Sequence, residues 1–369
     1  MSIRHSRSGR FSRRQALSLL GAGAGFGLFS AAHSAGAPRR LAQLSQAGSL
    51  NPTKLTFPEG AIIRTILEDL PPEALGTGTT LFHEHLSAAY SRTERQTTLP
   101  PPSSADIGPV VEDVKAAAKE GVTCIVDGGH PDMGRNMAHL RQISIETGVR
   151  VVASGGYYLQ NTYPLEIASQ SEDQIAASLA QEATAERYGA FGEIGQSPNA
   201  ADFTPDERKV FRAVGKAQVR TGLPIFTHNP YATGPNVPRE TGLRQLDLLE
   251  SVGVNPQHVT IGHACCLDDP GADIIKQVAK RGAFVGFDRV TAENFLPDAK
   301  RVAMILAFLD AGYGDRLLLS SDLRRNFNRT STLFVPKLGA AGVKQEIIRS
   351  ILVDNPRRFL AFVPKKAAA

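Results

Sequence analysis

The chain has 369 residues, 42% hydrophobic and 21% charged, an ordinary globular composition that excludes a disordered or fibrous protein. Three cysteines and no tryptophan exclude a disulfide-based scaffold. The formal net charge of +5 comes from residues 1–37, which hold five arginines and no acidic residue. Because the rest of the chain has 36 basic and 36 acidic residues, a nucleic-acid-binding surface is not expected.

Residues 1–37 have the three parts of an export signal in the right order. A basic stretch ends at Arg13 and Arg14, a glycine-rich apolar run covers residues 16–32, and small residues follow to Ala37. Paired arginines before a mildly apolar run resemble a twin-arginine signal, which carries folded proteins into the periplasm. The 17-residue run with its four glycines is short for a membrane span. We therefore expect a periplasmic or secreted protein, cleaved after residue 34 or 37 and not inserted in a membrane afterwards.

Residues 38–60 show no clear period and are interpreted as a linker and entry segment, so the main domain is expected over residues 61–369. There, short apolar runs alternate with longer amphipathic stretches. The apolar runs predict eight strands, at residues 79–85, 123–128, 149–155, 190–194, 224–228, 259–263, 283–288 and 317–322. Helices are predicted between them, among them 109–120, 135–147, 172–188 and 301–310. Another begins at Pro205, where Thr204 and Glu207 have the spacing of a capping box.

Eight strand–helix units in sequence predict a single-domain (β/α)8 TIM barrel, a fold of the α/β class. The competing doubly wound sheet has no support, because no Gly-x-Gly-x-x-Gly motif opens a helix after the first strand. In a barrel, the catalytic groups lie at the carboxyl ends of the strands.

Polar residues that can bind metal ions stand at or near the ends of five predicted strands. They are His83, His85, Glu193, His228, His263 and Asp322. Two residues apart on a strand, His83 and His85 point to the same side and Glu84 points away. Neutral imidazoles and carboxylates suit Zn²⁺, with Mn²⁺, Co²⁺ or Fe²⁺ as other occupants. Six ligands are too many for one tetrahedral ion and fit two ions that share a bridge.

These motifs resemble those of the phosphotriesterase family in the amidohydrolase superfamily. The likeness runs from about Ile63 to Leu360 and is carried by Phe82-His83-Glu84-His85-Leu86, Gly192-Glu193-Ile194-Gly195, Thr227-His228, Ile261-Gly262-His263 and Ser321-Asp322. Many members bridge their metals with a carboxylated lysine. With Glu193 in that position, this chain is similar to the glutamate-bridged branch that includes lactonase-like members.

The resemblance implies a role for each ligand. His83, His85 and Asp322 would bind the more buried metal, His228 and His263 the more exposed one, and Glu193 would bridge them. A hydroxide between the metals would attack the substrate, and Asp322 would accept its proton as general base. A role of Asp322 as a ligand alone is the alternative.

Substrate contacts are expected from the loops. In lactonase branches of the family a tyrosine after strand three lies beside the metals, so Tyr157 or Tyr158 would orient a carbonyl oxygen; packing at the rim is the alternative. Asp288-Arg289 resembles a family pair near the leaving group, and an ion pair that stiffens the rim explains it as well. Arg324, Arg325 and Arg329 follow Asp322 and suggest an anionic substrate group, with a solvated basic loop as the other interpretation.

The expected activity is therefore hydrolysis of an ester-type bond in a small molecule, with a lactone or carboxylic ester as the first substrate class. Phosphotriester hydrolysis is the alternative, although the loop after Asp322 is shorter than in the family's phosphotriesterases and acyl-homoserine lactonases. Amide hydrolysis and a non-catalytic metal-binding barrel are further alternatives. A homodimer is expected from the family resemblance alone.

Overall fold

The computed structural model describes residues 55–88, 99–198, 202–231 and 237–365. The predicted export signal and most of the predicted linker lie outside these residues. The described chain opens with a short antiparallel hairpin of β1 (Ile63–Arg64) and β2 (Asp69–Leu70). Strands of two residues carry no periodic pattern, and the sequence does not predict this hairpin.

Eight further strands form one parallel sheet in which each pairs with the next along the chain. They are β3 (Thr79–Glu84), β4 (Val122–Asp127), β5 (Arg150–Gly155), β6 (Ala190–Gly195), β7 (Ile225–His228), β8 (Val259–Ile261), β9 (Phe284–Phe287) and β10 (Leu317–Leu319). The sheet curls into a nearly closed barrel, so the predicted (β/α)8 fold is confirmed.

Helices follow the barrel strands and cover the outside of the sheet. They are α1 (Gly108–Lys119), α2 (Met137–Thr147), α3 (Glu172–Ala185), α4 (Pro205–Thr221), α5 (Thr241–Glu250), α6 (Asp273–Lys280), α7 (Asp298–Asp310), α8 (Val335–Ala340), α9 (Gln345–Arg349) and α10 (Asn355–Leu360). The capping box predicted for α4 is present. Thr204 Oγ1 accepts a hydrogen bond from the Glu207 amide, and Glu207 Oε2 accepts one from the Thr204 amide. No helix of the described residues is long and apolar enough to span a membrane.

Two apolar layers hold the barrel together. The outward side chains of the strands pack against the helices, and a smaller cluster fills the interior with residues such as Phe82, Phe226, Phe284 and Leu318. All four of these side chains are at most 1% exposed. The polar residues at the carboxyl ends of the strands lie next to this packed interior.

The seam between β3 and β10 is closed without a regular strand ladder. The amide of Asp322 donates to the carbonyl of His83 at 3.2 Å, and the amide of His85 donates to the carbonyl of Leu323 at 2.8 Å. On the other face of β3, the buried Glu84 carboxylate accepts hydrogen bonds from the segment after β10. Asp322 is thereby tied to β3, which carries His83, and to His85 directly after it.

Candidate metal centre

The six predicted metal-binding residues come together at the carboxyl end of the barrel, with Glu193 in the middle. Its Oε1 lies 3.2 Å from His85 Nε2, and its Oε2 lies 2.8 Å from His228 Nδ1. The same Oε2 is 3.5 Å from His83 Nε2 and 3.4 Å from His263 Nε2. One carboxylate therefore contacts four imidazoles from three separate segments of the sequence.

These donors form two groups that share Glu193. The first contains His83, His85, Glu193 and Asp322, and the second contains Glu193, His228 and His263. Within each group the ligand atoms lie within 4.8 Å of one another. Glu193 is the residue common to both groups, which is the place that the family resemblance implies for a bridging ligand.

Local backbone irregularities aim several of these side chains inward. The pairing register shifts between Leu81 and Glu84 on β3 and between Phe191 and Ile194 on β6, around His83 and Glu193. Such shifts re-aim side chains near active sites. The bend on β3 lets His83 pack on Phe226 at 5.1 Å between ring centroids, although its neighbour Phe82 also packs in the barrel interior.

His263 and Asp322 lie just beyond the ends of their strands, which are shorter than predicted. β8 ends at Ile261 and β10 at Leu319, because the backbone leaves the extended conformation there. Both residues have a φ of 52°, in the left-handed region that histidine and aspartate enter more readily than most residues. The turn at each strand end brings the side chain over the mouth of the barrel.

Asp288 is the principal residue whose role the sequence did not reveal. Its Oδ2 lies 2.8 Å from His83 Nδ1, and its Oδ1 lies 3.0 Å from His263 Nδ1 and accepts the His263 amide at 2.7 Å. Burial alone would raise the pKa of Asp288, but the two histidines outweigh it and hold that pKa well below its usual range. The ionised carboxylate fixes both rings so that their Nε2 atoms face the cluster. Its place at the end of the seventh predicted strand was the available signal.

Arg289, the next residue, has a different partner. Its Nε donates to Asp322 Oδ2 at 2.8 Å, and its guanidinium lies over the ring of Phe295, 4.7 Å from the centroid. Asp322 Oδ1 is 3.0 Å from His85 Nε2. Burial opposes ionisation of Asp322, but the charges of Arg289 and the histidines lower its pKa and keep it a carboxylate. The rim ion pair considered for Asp288 and Arg289 is therefore an Arg289–Asp322 pair.

The crowding of buried nitrogen and oxygen atoms in the cluster suits metal ions. His83 Nε2 is fully buried and has no hydrogen-bond partner among the described residues, and His228 Nδ1 lies only 2.9 Å from His263 Nε2. Burial lowers the pKa of His228 to about 4, so its ring is neutral at pH 7 and offers a lone pair. Four imidazoles and two carboxylates suit divalent transition metals such as Zn²⁺.

The two tyrosines after β5 lie in different places. The Tyr158 hydroxyl is 3.5 Å from His228 Nδ1, and the Tyr158 ring meets the His228 ring edge to face at 5.0 Å between centroids. Tyr157 instead packs against Tyr163, with 6.1 Å between ring centroids. Of the two residues predicted to orient substrate, Tyr158 is the one beside the metal-binding side chains.

The three arginines after Asp322 also lie in different surroundings. Arg325 is exposed and its Nε donates to Asp113 on α1, whereas Arg324 is exposed and borders a cavity of about 90 Å³ next to His85. Arg329 lines a larger cavity of about 540 Å³ that reaches Arg289 and Asp322. Arg325 and Arg324 therefore do not share the cavity that holds Arg329.

A (β/α)8 barrel with a buried histidine and carboxylate cluster at its carboxyl end has the arrangement of a metal-dependent enzyme. The model of the Phosphotriesterase family matches residues 64–360, almost the range over which the motifs resemble it. The chain belongs to the phosphotriesterase family, whose members depend on a binuclear metal centre.

Curated relatives match most of the chain. A phosphotriesterase homology protein from Escherichia coli (strain K12) is 33% identical over 299 residues, 77% of this chain and 98% of that protein. An aryldialkylphosphatase from Saccharolobus solfataricus is 30% identical over 311 residues, which cover 78% of this chain and 96% of that protein. An N-acetyltaurine hydrolase from Danio rerio is 24% identical over 359 residues, with 81% and 98% covered. The chain is thus a family hydrolase whose relatives act on different bonds.

Solved structures show the same fold. The crystal structure of the Escherichia coli homology protein, with phosphate in its active site, matches with a TM-score of 0.67 and 30% identity over 77% of this chain and 99% of that one. A lactonase from Listeria monocytogenes matches with a TM-score of 0.67 and 25% identity over 82% and 99%.

Proposed function

We propose that this protein hydrolyses ester-type bonds with two divalent metal ions, most readily Zn²⁺, and that lactones or carboxylic esters are its main substrates. The position of Glu193 carries the proposal, since its carboxylate contacts His85 on one side and His228 on the other. This is the arrangement that a shared ligand of two ions requires.

The metal ions would be held by His83, His85, Asp322, His228, His263 and Glu193. When bound, a pair of such ions makes water nucleophilic at neutral pH and stabilises the oxygen that gains charge in the reaction. Side chains of the protein would accept the proton and orient the substrate.

Asp322 is the proposed proton acceptor. Its side chain is 12% exposed, against 3% for Glu193, and it lines the large cavity. A proton taken up by its carboxylate therefore has a path outward, which the more enclosed Glu193 lacks. Arg289 holds Oδ2 of Asp322 and fixes the direction of the carboxylate.

Tyr158 is proposed to orient the carbonyl oxygen of the substrate. Its hydroxyl lies beside His228 at the rim of the cluster, so a substrate that reaches the metals also reaches a phenolic donor. The contact with His228 restricts the tyrosine ring before substrate binds.

Phosphotriester hydrolysis is the second candidate function, favoured by the aryldialkylphosphatase relative. Amide hydrolysis is a third, favoured by the N-acetyltaurine hydrolase relatives. A barrel that binds metal ions without catalysing a reaction is the non-enzymatic alternative. The complete donor set and the outward-facing Asp322 support an enzyme.

We also propose a periplasmic or secreted location, because residues 1–37 are interpreted as a twin-arginine signal. The mature protein would then begin after residue 34 or 37, and its barrel would bind small-molecule substrates. A homodimer is proposed on the family resemblance.

A substrate panel tests the proposed function. The zinc-loaded protein is assayed with a lactone, an aryl ester, an anilide and a neutral phosphotriester, with and without a chelator. Chelator-sensitive turnover of the lactone or aryl ester that exceeds the other rates by tenfold or more is expected. Faster turnover of the phosphotriester or anilide would contradict the ester assignment, and no turnover at all with two metals bound would favour the binding protein.

A further inference from the structure

A cavity of about 540 Å³ opens beside Asp322, between the segment after β9 and the segment after β10. Arg289, Glu293 and Phe295 line it from the first segment, and Asp322 and Arg329 line it from the second. Its volume is in the range of pockets that bind small molecules. Because Asp322 belongs to the metal-binding cluster, a molecule in this cavity lies next to the proposed reaction centre.

Most of the charges around the cavity are balanced by one another. Arg289 is paired with Asp322 at 2.8 Å. Glu293 receives Lys337 Nζ at 3.2 Å and the Asp298 amide at 3.0 Å. Asp298 in turn pairs with Lys337 and Arg301, each at 2.7 Å. These carboxylates therefore already have cationic partners.

Arg329 is the exception. Its guanidinium is half-buried, and its side-chain contact is one long hydrogen bond from Nη2 to the Thr291 carbonyl at 3.5 Å. Within the part of the chain that the structure describes, no carboxylate forms an ion pair with it. A guanidinium is always charged at physiological pH and presents a planar set of donors that matches a carboxylate. The cavity thus contains a cation whose partner is missing from the described chain.

We propose that Arg329 binds a carboxylate on the substrate, so that the protein prefers esters bearing an anionic group away from the bond that is cleaved. The inference rests on the proposed ester hydrolysis and names its substrate class. It assigns the anion to Arg329 instead of Arg324 or Arg325, because Arg329 is the arginine of the three that lines the cavity with Asp322. Arg325 is already held by Asp113.

Two pairs of rigid aryl esters test the inference, each pair differing in one charge. The first is 4-acetoxybenzoate with its methyl ester, which places the carboxylate on the leaving phenol. The second is monophenyl terephthalate with its methyl ester, which places it on the acyl side. In each pair the carboxylate is para to the reacting group, so it cannot assist hydrolysis within the molecule.

The zinc-loaded wild type, Arg329→Gln, Arg329→Lys and Arg349→Gln are compared on both pairs. Arg349 is an exposed arginine paired with Asp354 and serves as the matched control. For the carboxylate ester of at least one pair, Arg329→Gln is expected to raise KM by roughly tenfold to a hundredfold, the range for a hydrogen bond to a charged group. Arg329→Lys is expected to recover part of this loss, and neutral esters are expected to change less than twofold.

A binding measurement separates this inference from the proposed function. Calorimetry compares 4-hydroxybenzoate with the neutral 4-hydroxybenzamide on the zinc-loaded wild type and Arg329→Gln. Hydrolysis of charged and neutral esters with no dependence on Arg329 would overturn the inference and leave ester hydrolysis standing. Arg329-dependent binding of 4-hydroxybenzoate without hydrolysis of any ester would support the anion site and overturn the function. If neither hydrolysis nor Arg329-dependent binding occurs, both are wrong.

Discussion

The carboxylate of Glu84 accepts a hydrogen bond from the backbone amide of Leu323 at 2.6 Å. It also accepts from the Ser321 amide at 2.9 Å and from Ser320 Oγ at 2.7 Å, so one side chain holds the chain on both sides of Asp322. Glu84, which lies between the predicted ligands His83 and His85, thus fixes the position of Asp322, a third predicted ligand just beyond β10. This bond also closes the barrel where the strand ladder is interrupted.

Replacing Glu84 by glutamine is expected to destabilise the protein. A glutamine oxygen can still accept from Ser321, but its amide nitrogen cannot accept from the Leu323 amide, and a buried unsatisfied donor costs about 1–3 kcal/mol. Thermal unfolding of the metal-free protein should show a Tm lowered by several degrees. Glu120→Gln, at an exposed position after α1, is the control. Equal Tm values for Glu84→Gln and wild type would show that the seam does not depend on this carboxylate.

Asp288→Asn is expected to weaken metal binding without unfolding the barrel. The amide offers one acceptor oxygen where the carboxylate offers two, so His83 and His263 can no longer both be oriented through Nδ1. Loss of such an outer partner typically costs 10- to 100-fold in affinity. Competition with a chromophoric zinc chelator measures the change, and Asp310→Asn on the exposed end of α7 is the control. Unchanged zinc affinity would contradict the orienting role of Asp288.

Glu193→Gln is expected to lower the number of bound zinc ions below two per chain. The neutral amide removes the negative charge shared by the two donor groups and leaves one oxygen to contact both. Metal analysis after extensive dialysis gives the stoichiometry, with wild type and Glu120→Gln treated in parallel. Two tightly held ions in the variant would argue that Glu193 is not the bridge.

Asp298, the first residue of α7, is expected to stabilise the protein in a pH-dependent manner. Burial raises its pKa, but hydrogen bonds from Lys337, Arg301 and the Thr291 amide outweigh burial and place the pKa below its ordinary value. A lowered pKa means that the stabilisation is complete above the unfolded-state pKa and is lost as the pH falls through the folded-state value.

The free energy of unfolding in urea should therefore be about 1–3 kcal/mol lower for Asp298→Asn than for wild type at pH 7. The difference should shrink as the pH falls below about 4, the ordinary range for an aspartate. Both proteins are measured with the metals removed, so that protonation of the metal ligands does not enter the comparison. A difference that stays constant with pH would rule out the charge of Asp298 as its source.

The sequence predicts the barrel and the metal ligands because both leave local signals. Each buried strand is a short apolar run, and each predicted ligand stands near or just beyond the end of such a run, where a parallel barrel brings its strand ends together. The shared side of His83 and His85 follows from their spacing of two. The capping-box spacing of Thr204 and Glu207 is another local signal, and it marks the start of α4.

Other features depend on contacts between distant segments and leave no such signal. The register shifts around His83 and Glu193 arise only when the strands pair. Asp288 contacts two histidines and Arg289 contacts Asp322, because the two side chains point in different directions after the end of β9. The path of the chain after Asp322 decides that Arg329 enters the cavity and Arg325 reaches Asp113, although only four positions separate them.

Proton release at constant pH tests most directly whether the cluster around Glu193 hydrolyses esters with Asp322 as proton acceptor. The zinc-loaded wild type and Asp322→Asn are compared on a lactone and an aryl ester, with bound zinc measured in both. We predict rapid proton release by the wild type and a loss of most turnover in Asp322→Asn, even where the variant retains zinc. Turnover by a zinc-containing Asp322→Asn protein at the wild-type rate, or no proton release by a fully loaded wild type, would contradict the account.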